Sequence, residues 1–198
     1  MSEAPTISLH CAQPLLKTQL AIVLESQGQF LAQLGAVALV IDVPTPSGLL
    51  MLEHLSGQRA VFVTDNPCPE YWLDVLATGV EGFLFRCVAI DDLFLAVSAV
   101  ANGQRLIKHP KTVDALSAHE RRILRCIAEG LTSEEIGARF GLKTKVVRNY
   151  VSMILSSVRL AHPELRVTAR PHLVQYYFGL WDLLRRDTES PRDVTNIT

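Results

Sequence analysis

The segment Ser133–Leu155 (SEEIGARFGLKTKVVRNYVSMIL) restricts the fold more strongly than any other part of the sequence. Its pattern predicts two short helices joined by a tight turn. Gly141 suits the positive φ that a turn of three or four residues requires. Gly137, four residues earlier, leaves room for the second helix to approach closely. The chain is therefore expected to contain a helix-turn-helix element.

The second helix of this pair, expected over about residues 144–158, has two faces. Apolar residues at i, i+4, i+7 and i+11 predict a buried stripe of Val147, Val151, Ile154 and Val158. A polar stripe on another face comprises Lys145, Arg148, Asn149 and Ser152. Arginine binds guanine, asparagine binds adenine and lysine binds phosphate or guanine, so the stripe suits a helix in the DNA major groove. The alternative is a helical hairpin whose charged face is merely solvated.

The residues predicted to contact DNA lie at the starts of the two helices and along the second one. They are Thr132, Ser133, Lys143, Thr144, Lys145, Val147, Arg148, Asn149 and Ser152. Glu134 is an exception within this region, because such elements usually carry a positive charge there. Each missing phosphate cation weakens sequence-independent binding and lowers the salt dependence by about one charge.

The segments around this element are also predicted to be helical. Capping boxes of the S/T-x-x-E type, Ser117 with Glu120 and Thr132 with Glu135, mark two helix starts. A last helix is expected over Arg170–Phe178. An all-α domain is therefore predicted over residues 116–184, followed by a polar tail over residues 185–198.

The first 104 residues alternate short apolar runs with helical patterns, which predicts an α/β domain with a parallel sheet. Predicted strands are Ile7–His10, Ala36–Val43, Arg59–Thr64 and Gly82–Phe85, and predicted helices are Pro14–Ser26, Gly48–Leu55, Pro69–Thr78 and Ile90–Ala101. Residues 105–115, which are polar and contain Pro110, are expected to be a linker.

Charge is distributed unevenly along the chain. Residues 1–115 hold six Lys and Arg against eleven Asp and Glu, a net charge of −5, whereas residues 116–160 hold eight against four, a net charge of +4. A basic segment attached to an acidic body is typical of a module that binds a polyanion.

Composition narrows the remaining classes of function. The apolar runs are too short to cross a bilayer, the N-terminus has no signal-peptide pattern, and the four cysteines are widely spaced, so a cytoplasmic protein is expected. The sequence has no pattern of catalytic residues, metal ligands or cofactor-binding loops. The chain is therefore not expected to be an enzyme or to bind a metal or a cofactor.

Residues Leu116–Leu160 resemble the C-terminal helix-turn-helix of LuxR/NarL-type response regulators. The pattern is matched at sixteen positions: Leu116, Glu120, Ile123, Leu124, Ala128, Gly130, Thr132, Glu135, Ile136, Leu142, Lys145, Val147, Arg148, Asn149, Val151 and Ile154. The sequence departs from it at five positions, with Glu134 for Lys, Lys143 for Ser, Val146 for Thr, Tyr150 for His and Ser157 for Lys. The resemblance implies double-stranded DNA as a partner and a homodimer formed through the last helix, with apolar surface from Leu173, Val174, Tyr176, Tyr177 and Leu180.

The same resemblance implies a flavodoxin-like receiver domain in front. Asp42 then stands at the phospho-acceptor position, Thr64 at the switch hydroxyl and Arg86 in place of a Lys. Cys11 and Ala12 replace the acidic pair that holds Mg²⁺, and the stretch before Val43 is too short for the full set of elements. A helix is expected to be missing there, with residues 29–34 as a residual strand.

These observations favour a DNA-binding transcription regulator with an atypical receiver that phosphorylation of Asp42 does not control. One alternative is an orthodox response regulator that is switched by a phosphoryl group on Asp42. Another is a protein-interaction module that sequesters a different regulator. An unidentified ligand or protein partner is then expected to supply the signal.

Overall fold

The computed structural model describes residues 5–55, 57–86, 89–111 and 115–185. The chain divides into two compact units, residues 1–112 and 113–198. Among the described residues, no helix is both long and apolar enough to cross a membrane.

The first unit is a parallel sheet with helices, as the sequence predicted. Its strands are β1 (Ile7–Cys11), β2 (Val37–Ile41), β3 (Ala60–Thr64), β4 (Gly82–Phe85) and β5 (Leu106–Lys108), paired side by side in that order. The helices are α1 (Pro14–Ser26), α2 (Ser47–His54), α3 (Pro69–Ala77) and α4 (Ile90–Ala101). β2 is buried at every position, which explains its continuous apolar sequence.

The linker expected over residues 105–115 is partly wrong, because it contains the fifth strand of the sheet. Leu106–Lys108 were expected to lie in the linker and instead pair with β4, in the register Gly82 to Leu106 and Leu84 to Lys108. This strand is three residues long and lies at the edge of the sheet, with two half-buried residues and one exposed residue. Such a strand has too few apolar residues to produce a recognisable pattern.

The residual strand expected over residues 29–34 is reduced to one bridged residue, Leu31. Ile7 donates a backbone hydrogen bond of 2.8 Å to the carbonyl of Phe30 and accepts one of 2.9 Å from the amide of Ala32. These bonds form a single parallel bridge between Ile7 and Leu31. Residues 27–36, all described, contain no helix. If the bridge is counted as a second strand, the sheet has the 2-1-3-4-5 order of flavodoxin-like folds.

Apolar side chains pack against the sheet. Leu24 of α1 and Val97 and Val100 of α4 pack with strand residues in one cluster. The rings of Phe62 and Phe83 stack with centroids 6.0 Å apart. This core holds the ends of the strands in place.

The second unit is helical. Its helices are α5 (Ala118–Ala128), α6 (Ser133–Phe140), α7 (Thr144–Ala161) and α8 (Arg170–Tyr177), followed by a short 3₁₀ helix, Trp181–Leu183. Both predicted capping boxes are present, at the starts of α5 and α6. The core includes Ile123, Leu124, Ile127, Ile136, Val147, Ile154, Val158, Leu173 and Tyr176. Of the predicted tail, residues 186–198 lie outside the described residues.

Candidate functional site

The turn between α6 and α7 has the geometry that its glycines predicted. Gly141 has a φ of 69°, in the left-handed region, and ends α6. A Cβ atom on Gly137 would lie 2.6 Å from the carbonyl oxygen of Leu142. The backbone amide of Leu142 donates a 2.8 Å hydrogen bond to the carbonyl of Gly137. Gly137 therefore allows the close approach that positions the start of α7.

The start of α7 presents a polar face to solvent. Lys143, Lys145, Arg148, Asn149 and Ser152 are exposed, and Thr144 is half-buried. Val147 is completely buried. The residues of the polar stripe therefore share one exposed helix face that is anchored by apolar residues behind it.

The burial of Val147 contradicts the prediction that this residue contacts DNA. With 0% of its surface exposed, its side chain has no area to offer to a base. Its position on the buried stripe with Ile154 and Val158, which are also buried, explains this placement. Val147 packs in the core of the unit and supports the polar face from within.

The two predicted contacts at the start of α6 have local roles. The hydroxyl oxygen of Thr132 accepts a hydrogen bond from the amide of Glu135, and the carboxylate of Glu135 accepts one from the amide of Thr132. The hydrogen bond from the backbone amide of Thr132 to the carboxylate is the main cause that lowers the pKa of Glu135. The Ser133 hydroxyl accepts a 3.2 Å hydrogen bond from Arg170, whose guanidinium also donates to the carbonyl of Leu131. Arg170 was not among the predicted site residues, because a cation at the first residue of one helix does not signal a contact with another helix.

Glu134 lies against the polar face of α7. Its Oε1 atom is 3.5 Å from Nη2 of Arg148, and the two side chains are 63% and 70% exposed. The acidic residue that departs from the expected pattern is therefore the ion-pair partner of an arginine on the polar stripe.

The second predicted site is the pocket around Asp42, at the end of β2. The Oδ2 atom of Asp42 accepts hydrogen bonds from the hydroxyls of Thr45 (3.0 Å), Thr64 (2.9 Å) and Tyr71 (2.8 Å). Its Oδ1 atom accepts one of 2.9 Å from the amide of Gly48, in the first turn of α2. The side chain is 1% exposed. Four donors therefore surround a buried carboxylate.

Burial dominates the titration of Asp42. Removal from water disfavours the charged form and raises the pKa of this carboxyl above its ordinary value. The hydrogen bonds from Tyr71, Gly48, Thr64 and Thr45 act in the opposite direction. Gly48 packs so closely that a Cβ there would lie 2.8 Å from the Cβ of Asp42. The pocket is thus filled by protein atoms.

The positions around Asp42 do not fit a magnesium site. Cys11 is buried, and its thiol donates to the carbonyls of Gln13 and Val43, whereas Ala12 has no ligand atom in its side chain. Mg²⁺ requires oxygen ligands in octahedral geometry. Within the described ranges, no three His, Cys, Asp or Glu residues lie together as a metal cluster would require. Arg86 is exposed, with its guanidinium over the ring of Phe85 at 5.1 Å.

Comparisons with protein families and with characterised proteins agree with this arrangement. Residues 114–162 match the model of the bacterial regulatory proteins of the luxR family. The chain is 29% identical over 128 residues to the transcriptional regulatory protein DesR of Bacillus subtilis, covering 61% of this chain and 64% of DesR. It thus spans just under two-thirds of the length of DesR. It is 26% identical over 146 residues to the nitrate/nitrite response regulator protein NarL of Escherichia coli, covering 63% of this chain and 67% of NarL.

Solved structures share the fold. RcsB from Salmonella enterica serovar Typhimurium, bound to the promoter rprA in the presence of the phosphomimetic BeF3−, superposes with a TM-score of 0.55. The sequence identity is 16%, and the match covers 87% of this chain and 98% of that chain. RcsB bound to the promoter P1flhDC superposes with a TM-score of 0.53 at 18% identity, covering 89% and 99%. At this level of identity the likeness establishes the fold alone.

Proposed function

Since residues 114–162 match the model of the bacterial regulatory proteins of the luxR family, we propose that this chain is a sequence-specific, DNA-binding transcription regulator of the LuxR/NarL type. The DNA-binding domain comprises residues 116–184. In this proposal the chain acts in the cytoplasm, catalyses no reaction and needs no cofactor.

The exposed polar face of α7 is the observation that carries this proposal. Lys145, Arg148, Asn149 and Ser152 are exposed on one side of the helix, while Val147 and Ile154 anchor the other side. In the major groove, Arg148 and Asn149 bind base edges, and Lys143 and Lys145 bind phosphates or guanine. The amides at the start of α6 provide a further phosphate contact beside Thr132 and Ser133.

A homodimer is part of the proposal. Of the apolar residues expected to pair two copies through the last helix, Leu173, Tyr176 and Tyr177 are buried in the domain itself, so they are unavailable. Val174 is half-buried, and Leu180 and Leu183 are exposed, which leaves this smaller surface for the contact. Two-fold pairing would place the half-sites about 34 Å, or one DNA turn, apart. Two RcsB dimers have been solved on two parallel DNAs, with a TM-score of 0.51 to this chain.

The first unit is proposed to be a receiver that phosphorylation of Asp42 does not control. The Asp42 carboxylate is buried, both of its oxygens accept hydrogen bonds, and Cys11 and Ala12 supply no oxygen ligand for Mg²⁺. Phosphoryl transfer to a carboxylate needs a bound cation to neutralise charge and needs access to the attacking oxygen. An unidentified ligand or protein partner would then provide the signal.

Selection from a genomic fragment library tests DNA binding. We expect the full-length chain to enrich a defined set of fragments, and we expect Arg148→Ala to lose that enrichment. No enrichment, or enrichment that is indifferent to Arg148→Ala, would favour sequestration of another regulator instead.

Acetyl phosphate and mass spectrometry test the receiver. We expect no gain in mass when the purified chain is incubated with acetyl phosphate and Mg²⁺. A gain of one phosphoryl group that disappears in Asp42→Asn would identify an orthodox response regulator.

A further inference from the structure

The ion pair between α6 and α7 joins an acidic residue to a proposed base-reading residue. Glu134 lies in the first turn of α6, and Arg148 lies in the second turn of α7, fourteen positions later. The Nη2 to Oε1 distance is 3.5 Å, and both side chains are mostly exposed. The contact is therefore long, formed in water and easily replaced by another acceptor.

We propose that Glu134 determines DNA specificity by acting through Arg148; this inference rests on the proposed function. In the free protein the carboxylate holds the guanidinium against α6 and offsets its charge. A phosphate on non-specific DNA must displace Glu134 and gains only one such contact in return. A correctly placed guanine offers two acceptors, N7 and O6, in the geometry that a guanidinium matches.

Two further acidic residues of the domain form ion pairs outside the polar stripe. Glu129 accepts from Arg125 at 3.0 Å and from Arg139 at 2.9 Å, and neither arginine belongs to the polar stripe. Glu164, after the end of α7, lies 3.3 Å from His162. Among the described ion pairs, Glu134 with Arg148 is thus the one that involves the stripe.

The consequence is a lower affinity for non-specific DNA with little loss at the correct site. Non-specific binding depends on the number of phosphates neutralised, which also sets the salt dependence. Release of Arg148 would add one such contact. Glu134→Gln is therefore expected to increase affinity for random-sequence DNA by about 3- to 10-fold and to steepen the salt slope by about 0.9.

A double-mutant cycle on random-sequence duplex DNA tests the proposal. Fluorescence anisotropy between 50 and 200 mM KCl would compare the full-length chain with Glu134→Gln, Arg148→Ala and the double variant. We expect the gain from Glu134→Gln to disappear in the Arg148→Ala background. On a duplex recovered by genomic selection, we expect Glu134→Gln to raise affinity less than it does on random DNA. The specificity ratio, which is the affinity for selected DNA divided by that for random DNA, should therefore fall.

Each contrary outcome has a distinct meaning. An equal gain in both backgrounds would show that Glu134 repels phosphate directly, and no gain at all would show that the ion pair does not restrain Arg148; either result overturns the proposal. Glu164→Gln removes the same charge at the far end of α7, so an equal gain there would also overturn it. Failure of every variant, including the unmodified chain, to bind any duplex would instead reject the proposed function.

Discussion

The phenolic hydroxyl of Tyr71 donates a 2.8 Å hydrogen bond to Oδ2 of Asp42 and so connects α3 to the end of β2. Both side chains are buried. The other oxygen of the same carboxylate accepts from the amide of Gly48 and so holds the start of α2. Asp42 thereby connects three elements of the first unit, β2, α2 and α3.

Tyr71→Phe is expected to destabilise the first unit. It removes one donor to a buried carboxylate while the apolar ring remains, and hydrogen bonds to charged groups contribute about 1.5–3 kcal/mol. We expect a decrease of that size in the free energy of unfolding, measured by urea denaturation at pH 7. Affinity for selected DNA should change little.

A second variant links this loss to Asp42. In an Asp42→Asn background the acceptor is neutral, so we expect Tyr71→Phe to cost less than it does in the unmodified chain. An undiminished cost would mean that the hydroxyl of Tyr71 stabilises the unit independently of the charge on Asp42.

The raised pKa of Asp42 predicts a pH dependence of stability. Because the folded state holds the proton more tightly than the unfolded state, whose ordinary value is 3.8, stability falls as pH rises from that value through the folded pKa. Above the folded pKa the contribution of this group is constant. Below the ordinary value both states are protonated, and the contribution is again constant.

Asp42→Asn isolates this contribution, since it removes the titrating group. We expect the unfolding free energy of the unmodified chain, minus that of Asp42→Asn, to decrease with rising pH within that window. Urea denaturation at several pH values above 3.8 measures the difference. An increase with pH would contradict the raised pKa and would mean that the hydrogen bonds outweigh burial.

Much of this architecture was accessible from the sequence because the relevant signals are local. The capping boxes at Ser117 and Thr132 and the positive φ of Gly141 depend on neighbouring residues. The edge strand Leu106–Lys108 could not be predicted from local signals, because it is defined by its pairing with β4, which is a tertiary contact. The contacts of Glu134 with Arg148 and of Tyr71 with Asp42 also join residues that are distant along the chain. No periodicity in the sequence encodes such pairs.

The neighbouring valines of α7 are expected to respond differently to truncation. Val147 is completely buried, whereas Val146 is 37% exposed. Val147→Ala should lower the free energy of unfolding of the second unit by about 2 kcal/mol, because it removes buried methyl groups and leaves a cavity. Val146→Ala should change it by less than about 0.5 kcal/mol. Urea denaturation monitored by helical circular dichroism provides the comparison, and similar losses at the two positions would contradict the assigned burial.

Gly137→Ala and Gly141→Ala are expected to lower the free energy of unfolding for different reasons, a steric clash at the first position and backbone strain at the second. At Gly137 the new Cβ would meet the carbonyl oxygen of Leu142 at 2.6 Å, so α7 must shift and the free energy of unfolding should fall by about 2–3 kcal/mol. At Gly141 no atom lies within 4 Å of the new Cβ, and the cost is that of a positive φ, about 1–2 kcal/mol.

DNA binding gives a second readout for this pair, because α7 moves in one case and keeps its place in the other. We expect Gly137→Ala to reduce affinity for selected DNA under conditions where the variant is still folded, while Gly141→Ala leaves that affinity nearly unchanged. Anisotropy titrations, with circular dichroism to confirm folding, measure both. If Gly137→Ala bound DNA as tightly as the unmodified chain, the close approach of α6 to the start of α7 would not be what positions the polar stripe.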